Sequence, residues 1–176
     1  MTTIFDRETL LDALTELADT LANEGASVTI RVVGGAAIAI SHSERAATAD
    51  IDAVLSGDVE AVHTSVEAMA HRRGWPDGWL NDAVKAFYPF AGDPEWTEII
   101  TRDGVSIFAA PADMLLAMKL NASRGSRDRP DITNLLVACN VESTREAEEI
   151  FARYYPGEEM KERGRAQLTA LFHEGG

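Results

Sequence analysis

Leu10, Leu11, Leu14, Leu17, Ala18 and Leu21 recur at intervals of one helical turn, so the spacing predicts a helix over about Arg7 to Glu24. Asp6 is placed to cap it and Gly25 stands just past its end. Val28 to Val33 is short and β-branched and is closed by Gly34-Gly35, the signature of a strand running into a turn. Ala36 to Ile40 then predicts a short helix built of small residues, and polar His42 to Ala49 a loop. Ile51 to Leu55 predicts a second strand, and Val59 to Arg73 a helix stopped by Gly74. Trp75 to Trp79 is a turn cluster. Trp96 to Ile100 and Val105 to Ala109 predict two strands joined across Arg102-Asp103-Gly104, because Asp-Gly between apolar runs favours a hairpin. From Pro111 the pattern is helical. Met114, Leu115, Met118 and Leu120 form an apolar face, and Pro130 opens a helix to about Ala138. Ser143 with Glu146 makes a capping box, and Pro156-Gly157 breaks the chain before a last helix over Glu158 to Phe172. The expected class is α+β: a small mixed sheet flanked by helices, then a helical C-terminal third. The expected division is 1–110 for the sheet region and 111–176 for helices packed on it as one compact unit.

Length and composition narrow the function. The chain has 176 residues, which suits one domain with a helical extension and needs no cross-links to fold. Cys139 is the only cysteine, which excludes an intrachain disulfide or a cysteine zinc site. Apolar runs such as Met114–Met118 fall far below the roughly 20 residues that span a bilayer, and no membrane partner is expected. The opening Asp6, Arg7 and Glu8 do not resemble a secretory leader, so the expected location is the cytoplasm. Sixteen Lys and Arg oppose 29 Asp and Glu, a formal net charge of -13. Nucleic-acid binding rests on a basic footprint, so only a local patch could supply it. The acidity otherwise serves solubility, a basic partner protein, or carboxylates gathered on a divalent metal.

The chemistry concentrates in Val32-Val33-Gly34-Gly35-Ala36-Ala37 and Thr48-Ala49-Asp50-Ile51-Asp52. Glycines at a strand end let backbone approach a ligand, and the helix N-terminus that follows offers free N–H groups to an anion. Asp50 and Asp52 stand two apart at the start of a strand, where period two predicts one shared face. Adjacent carboxylates repel unless a cation lies between them. Mg²⁺ is commonly held by one or two carboxylates together with substrate phosphates. Phosphate on the glycine turn and metal on Asp50 and Asp52 together describe a nucleoside triphosphate (NTP) site.

Gly-Gly followed by Asp-x-Asp resembles the nucleotidyltransferase superfamily, the polymerase-β-like fold. Leu115 to Leu120 with Lys119, followed by Arg124-Gly125-Ser126-Arg127-Asp128-Arg129-Pro130-Asp131-Ile132, is similar to the branch holding AbiEii-type toxins and the DUF6036-like group. The resemblance covers Ile30 to Leu136. It implies that Gly34 and Gly35 approach the triphosphate, with Arg45 in the next loop as a further phosphate contact. It implies that Asp50 and Asp52 ligate Mg²⁺ or Mn²⁺. Lys119 is then expected to meet phosphate or a catalytic carboxylate, and Asp128 or Asp131 to complete the acidic side. The implied activity moves a nucleotide from an NTP to an RNA or protein acceptor, in a toxin–antitoxin setting with an antitoxin-like partner.

Two departures keep an alternative open. Val105-Ser106-Ile107-Phe108 carries no third carboxylate, Glu98 being the nearest, and the turn lacks the serine of the Gly-Ser version. The alternative is a non-catalytic nucleotidyltransferase-like module that binds a partner protein. A dinucleotide-binding fold would need Gly-x-Gly-x-x-Gly, which Gly34-Gly35-Ala36-Ala37 does not supply. Lys119 could instead snorkel to water, and Asp131 could serve the dipole of its own helix. Arg124, Arg127 and Arg129 are either a solvated loop or a phosphate or RNA contact. Trp75, Trp79, Phe87, Tyr88 and Phe90 are either core or a base-stacking surface.

Overall fold

A computed structural model describes residues 3–42 and 46–174. The chain divides into two units, Met1–Ala86 with Trp96–Ala110, and Phe87–Glu95 with Pro111–Gly176. The class is α+β, with one five-stranded mixed sheet and a helical C-terminal part. No helix among the described residues is long and apolar enough to cross a membrane.

The first unit holds α1 (Arg7–Asn23), β1 (Val28–Val32), α2 (Gly34–Ser41), β2 (Ile51–Gly57), α3 (Val59–Arg73), β3 (Leu80–Asn81), β4 (Thr97–Arg102) and β5 (Val105–Ala109). The strand order is β3-β2-β1-β5-β4. β1 runs antiparallel to β2 and parallel to β5, while β4 and β5 form the Asp103-Gly104 hairpin. β3 has only two residues and no apolar alternation, so the sequence pattern does not reveal it; it is fixed from outside, by pairing with β2 and by the Ile51 N–H donating to the Trp79 carbonyl at 2.7 Å.

Burial alternates along β1, β2 and β5. Ile30, Val32, Ile51, Ala53, Val105 and Ile107 are buried, and α1 and α2 pack on the sheet. Each large aliphatic side chain so buried contributes roughly 1.5–3 kcal/mol relative to exposure. Thr29, Arg31, Asp52, Val54, Ser106 and Phe108 project from the other face and are only partly covered. The helix ends follow their signals. Asp6 accepts the Thr9 N–H at 2.9 Å, and Gly74 closes α3 in the left-handed conformation. α2 is buried along Ala36–Ile40, which its small side chains permit. Trp79 is fully buried, donates to the Val66 carbonyl at 3.0 Å and stacks edge-on with Trp75, while Phe5 packs on both. Trp79 is core, and Trp75 covers it from a partly exposed position.

The second unit holds α4 (Ala112–Ala122), α5 (Arg129–Ala138), α6 (Thr144–Tyr154) and α7 (Glu162–Glu174). Ser143 caps α6, and Glu146 reaches back to the Glu142 N–H at 2.7 Å. The last helix starts four residues later than its sequence pattern suggests, at Glu162. Phe87–Glu95 belongs with these helices: Tyr155 donates its hydroxyl proton to the Phe87 carbonyl, and Gly92 lies against the Tyr154 ring. Phe87 and Phe90 are exposed at 66% and 90%, so the aromatic run read from the sequence splits, Trp79 inside and these phenylalanines outside.

Gly57 ends β2 at φ +92, where a Cβ would stand 2.2 Å from the Ser27 carbonyl oxygen. Gly57→Ala combines backbone strain with a clash against main chain. It is expected to cost about 3 kcal/mol and lower Tm by roughly 6–12 °C. A thermal melt checks this; an unchanged Tm contradicts the close strand–loop packing.

Candidate functional site

The strand ladder runs one residue past β1. The Val33 N–H donates to the Asp52 carbonyl at 2.9 Å, and Gly34 then turns the chain into α2 at φ +63. A Cβ on Gly34 would lie 3.0 Å from Asp52 Oδ2, so the carboxylate stands directly over the turn. Glycine is required twice here, for the positive φ and for the approach of Asp52. A Cβ on Gly35 would meet Thr48 Oγ1 at 3.1 Å. Thr48 is itself pinned: it exchanges two backbone hydrogen bonds with Phe5 and donates its hydroxyl to the Asp50 carbonyl at 3.0 Å. Sequence reading missed this anchoring role, whose only signal is a β-branched residue two before the first aspartate.

Asp52 is half-buried in β2, whereas Asp50 is exposed in the bend just before the strand. Strand alternation therefore governs Asp52 and not Asp50. Val33 caps α2 without any side-chain hydrogen bond. The first N–H groups of a helix have no partner inside it, and the helix dipole places partial positive charge there. The Asp52 carboxylate and the start of α2 thus meet at one turn. Arg45 lies outside the described residues.

Glu98 does not extend this pair. It is exposed on β4, three strands from β2, which at about 4.8 Å per strand puts it roughly 14 Å away. The partly covered positions of β5 are Ser106 and Phe108, which offer no carboxylate. Among the described residues no group of three or more His, Cys, Asp or Glu side chains could hold a metal ion. Asp52 with Asp50 remains a donor set of the size Mg²⁺ uses when phosphates complete its shell. Burial, with Asp113 nearby, pushes the Cys139 thiol up to about 11, so it is no thiolate nucleophile at neutral pH.

The second unit carries its own constellation. Lys119 Nζ lies 3.0 Å from Asp128 Oδ1 and 2.7 Å from Asp131 Oδ2. Asp128 is 2% exposed, and its Oδ2 accepts the Arg124 N–H at 2.9 Å. The Gly125–Asp128 turn folds the carboxylate back under α4, and Pro130 in the first turn of α5 aims Asp131 at the same ammonium. Lys119 therefore does not end in free solvent. Burial pushes Asp128 up, but the Lys119 hydrogen bond, the Arg124 N–H and both positive charges outweigh it and hold the carboxyl below its ordinary value. Arg124, Arg127 and Arg129 are exposed along this turn.

A family model described as a nucleotidyltransferase of unknown function (DUF6036) matches residues 8–165. The chain belongs to that family. The matched span includes both the Gly34–Asp52 turn and the Lys119 cluster, so neither is an appendage to the family's domain. No curated protein and no solved structure matches the chain significantly. Nucleotidyltransferases as a class use divalent metals, and the family's name points to a nucleotidyltransferase-like protein.

The DUF6036 cluster has a stability signature. Lys119→Met strands a buried carboxylate on one remaining N–H and is expected to cost about 3 kcal/mol. Asp128→Asn is expected to cost roughly 1.5–3 kcal/mol at pH 7. Because Asp128 titrates low when folded, its contribution is complete above the usual carboxylate range and is lost as pH falls through its lowered folded value. The gap between wild type and Asp128→Asn should therefore begin to narrow below about pH 4 and shrink further as the pH falls. Urea melts from pH 3 to 7 check this; a gap that does not change with pH contradicts the ion-pair account.

Proposed function

We propose that this DUF6036 chain is a metal-dependent nucleotidyltransferase of the AbiEii-like type. In this reading it moves a nucleotide from an NTP to a protein or RNA acceptor as the toxic partner of a cytoplasmic toxin–antitoxin pair. The observation that carries the reading is the Asp52 carboxylate seated over the Gly34 turn at the start of α2, in a chain of this family. In the transfer, an acceptor oxygen attacks the α-phosphorus, the bond to the β-phosphate oxygen breaks, and pyrophosphate leaves. Asp52 and Asp50 would hold Mg²⁺ or Mn²⁺, which supplies charge neutralisation for the phosphates. The Gly34 and Gly35 N–H groups would donate to phosphate oxygens, and the absence of a Cβ leaves them open to a ligand. Arg45 would add a phosphate contact. Lys119, Asp128 and Asp131 enter on the family resemblance, with Lys119 as the charge that the transfer uses and Asp131, the more exposed carboxylate, as the acidic group.

The net charge of -13 favours a protein acceptor, or a basic partner, over a free polyanion. A second reading, a non-catalytic interaction module, draws support from the carboxylate-free partly covered face of β5.

Two measurements separate these readings. Mg²⁺ with NTP, at roughly a hundred times Kd, should stabilise the wild-type chain by about 2.7 kcal/mol, and Asp52→Asn should abolish that gain. Gly34→Ala should act similarly, since its Cβ would displace the carboxylate. Absence of a metal-dependent shift with all four NTPs supports the interaction module. Incubation with α-labelled NTP and cell extract then identifies the acceptor. Lys119→Met, assayed at a temperature where it is folded, should lower labelling at least tenfold; labelling equal to wild type removes Lys119 from the reaction.

A further inference from the structure

An arginine in the middle of a β-branched strand is unusual, and Arg31 has no role in the reading above. It occupies β1, the central strand of five, on the face opposite the buried Ile30 and Val32. It pairs across with Val54, and Asp52 is two residues before Val54 on β2. Arg31 and Asp52 are thus diagonal neighbours on one face, roughly 7 Å apart at the backbone. The Arg31 guanidinium carbon lies 5.8 Å from the centroid of the Trp96 ring, and among the described residues it forms no ion pair. Trp96 directly precedes Thr97, whose partner on β5 is Ala109, itself the partner of Val32. Asp52, Arg31 and Trp96 therefore gather toward the end of β1 that runs into the Gly34 turn.

An aromatic ring holds a half-buried cation without neutralising it, and Trp96 holds Arg31 in this way. A guanidinium over an aromatic face can still present its edge N–H groups as a planar fork of donors. Such a fork matches two oxygens of a phosphate. Lysine is nearly absent from the chain, with only Lys85, Lys119 and Lys161, and Lys85 is already paired to Asp82.

We propose that Arg31, braced by Trp96, binds the non-transferred phosphates of the NTP whose α-phosphate lies at the Gly34–Asp52 turn. This rests on the nucleotide reading above and adds a binding residue to it. Arg31 would contribute to ground state and transition state alike, so its loss should raise KM more than it lowers kcat.

Calorimetric titration of the full chain with Mg²⁺–NTP, Mg²⁺–tripolyphosphate and the matching nucleoside monophosphate tests the proposal. Arg31→Gln should weaken NTP and tripolyphosphate binding at least tenfold and leave monophosphate binding within about twofold, since that ligand lacks the phosphates in question. Arg31→Lys keeps the charge and loses the planar fork, and should fall between; it decides the matter if Arg31→Gln does not fold. Wild-type binding abolished by Asp52→Asn but unaltered in a folded Arg31 variant overturns the Arg31 assignment and leaves the nucleotide site standing. Equal weakening toward NTP and monophosphate also overturns it, because the contact would then be to the transferred nucleotide. No binding of any of these ligands to wild type overturns the nucleotide reading, and this assignment with it.

Discussion

Everything proposed for this chain depends on how closely β2 can approach the turn that follows β1. Gly34 has no Cβ, and the Asp52 carboxylate occupies the space a Cβ would crowd, at 3.0 Å. The same residue adopts φ +63, a conformation that lets β1 pass directly into α2. The rest of the first unit serves this junction. The β1–β2 ladder sets the register, Val33 extends it to the Asp52 carbonyl, and the Phe5–Thr48 bridge holds the loop that leads into β2. Beneath them, α2 opens on the small residues Gly34 to Ala37 and is buried along Ala36–Ile40, and its N-cap Val33 makes no side-chain hydrogen bond.

The second unit solves a different electrostatic problem. Asp128 is buried, and a buried carboxylate is costly unless it is paired. Lys119 and the Arg124 N–H meet that cost, and Asp131 shares the ammonium from a more exposed position. Two carboxylates on one ammonium leave the cluster net negative, in keeping with a chain of net charge -13. This arrangement makes Lys119 a structural cation whatever else it does. Any kinetic role for it has to be measured in a variant shown to be folded, and Asp131 is the member whose change least disturbs the buried pair.

The sequence made the helices and the main strands legible because their signals are local. Asp6, Gly74 and Ser143 cap where their side chains or conformations demand, and apolar alternation marks β1, β2 and β5. The family was legible from Gly34-Gly35 with Asp50-Ile51-Asp52 and from the Lys119 and Arg127-Asp128 segments, which lie inside the matched residues 8–165. What was hidden depends on tertiary contact. The two-residue β3 has no pattern of its own. Asp50 reads as a strand residue by spacing, but the Thr48 hydrogen bond places it in a bend. Glu98 stands near Val105–Phe108 along the chain, yet strand order carries it to the far edge of the sheet from β2. Trp79 and Phe90 read alike by composition; one is fully buried and the other 90% exposed. Arg31 carried a signal that spacing rules pass over, a charge inside an apolar strand, and only its Trp96 contact gives it meaning.

The most direct test of the account is anomalous diffraction from crystals of the wild-type chain grown with Mn²⁺ and an NTP analogue that cannot be cleaved between its α- and β-phosphates. The account predicts a manganese peak in coordination range of Asp52, roughly 2.0–2.3 Å from a carboxylate oxygen, with phosphate oxygens on the Gly34 and Gly35 N–H groups. A well-ordered Gly34 turn with no manganese at Asp52 and the analogue absent or bound elsewhere would contradict it.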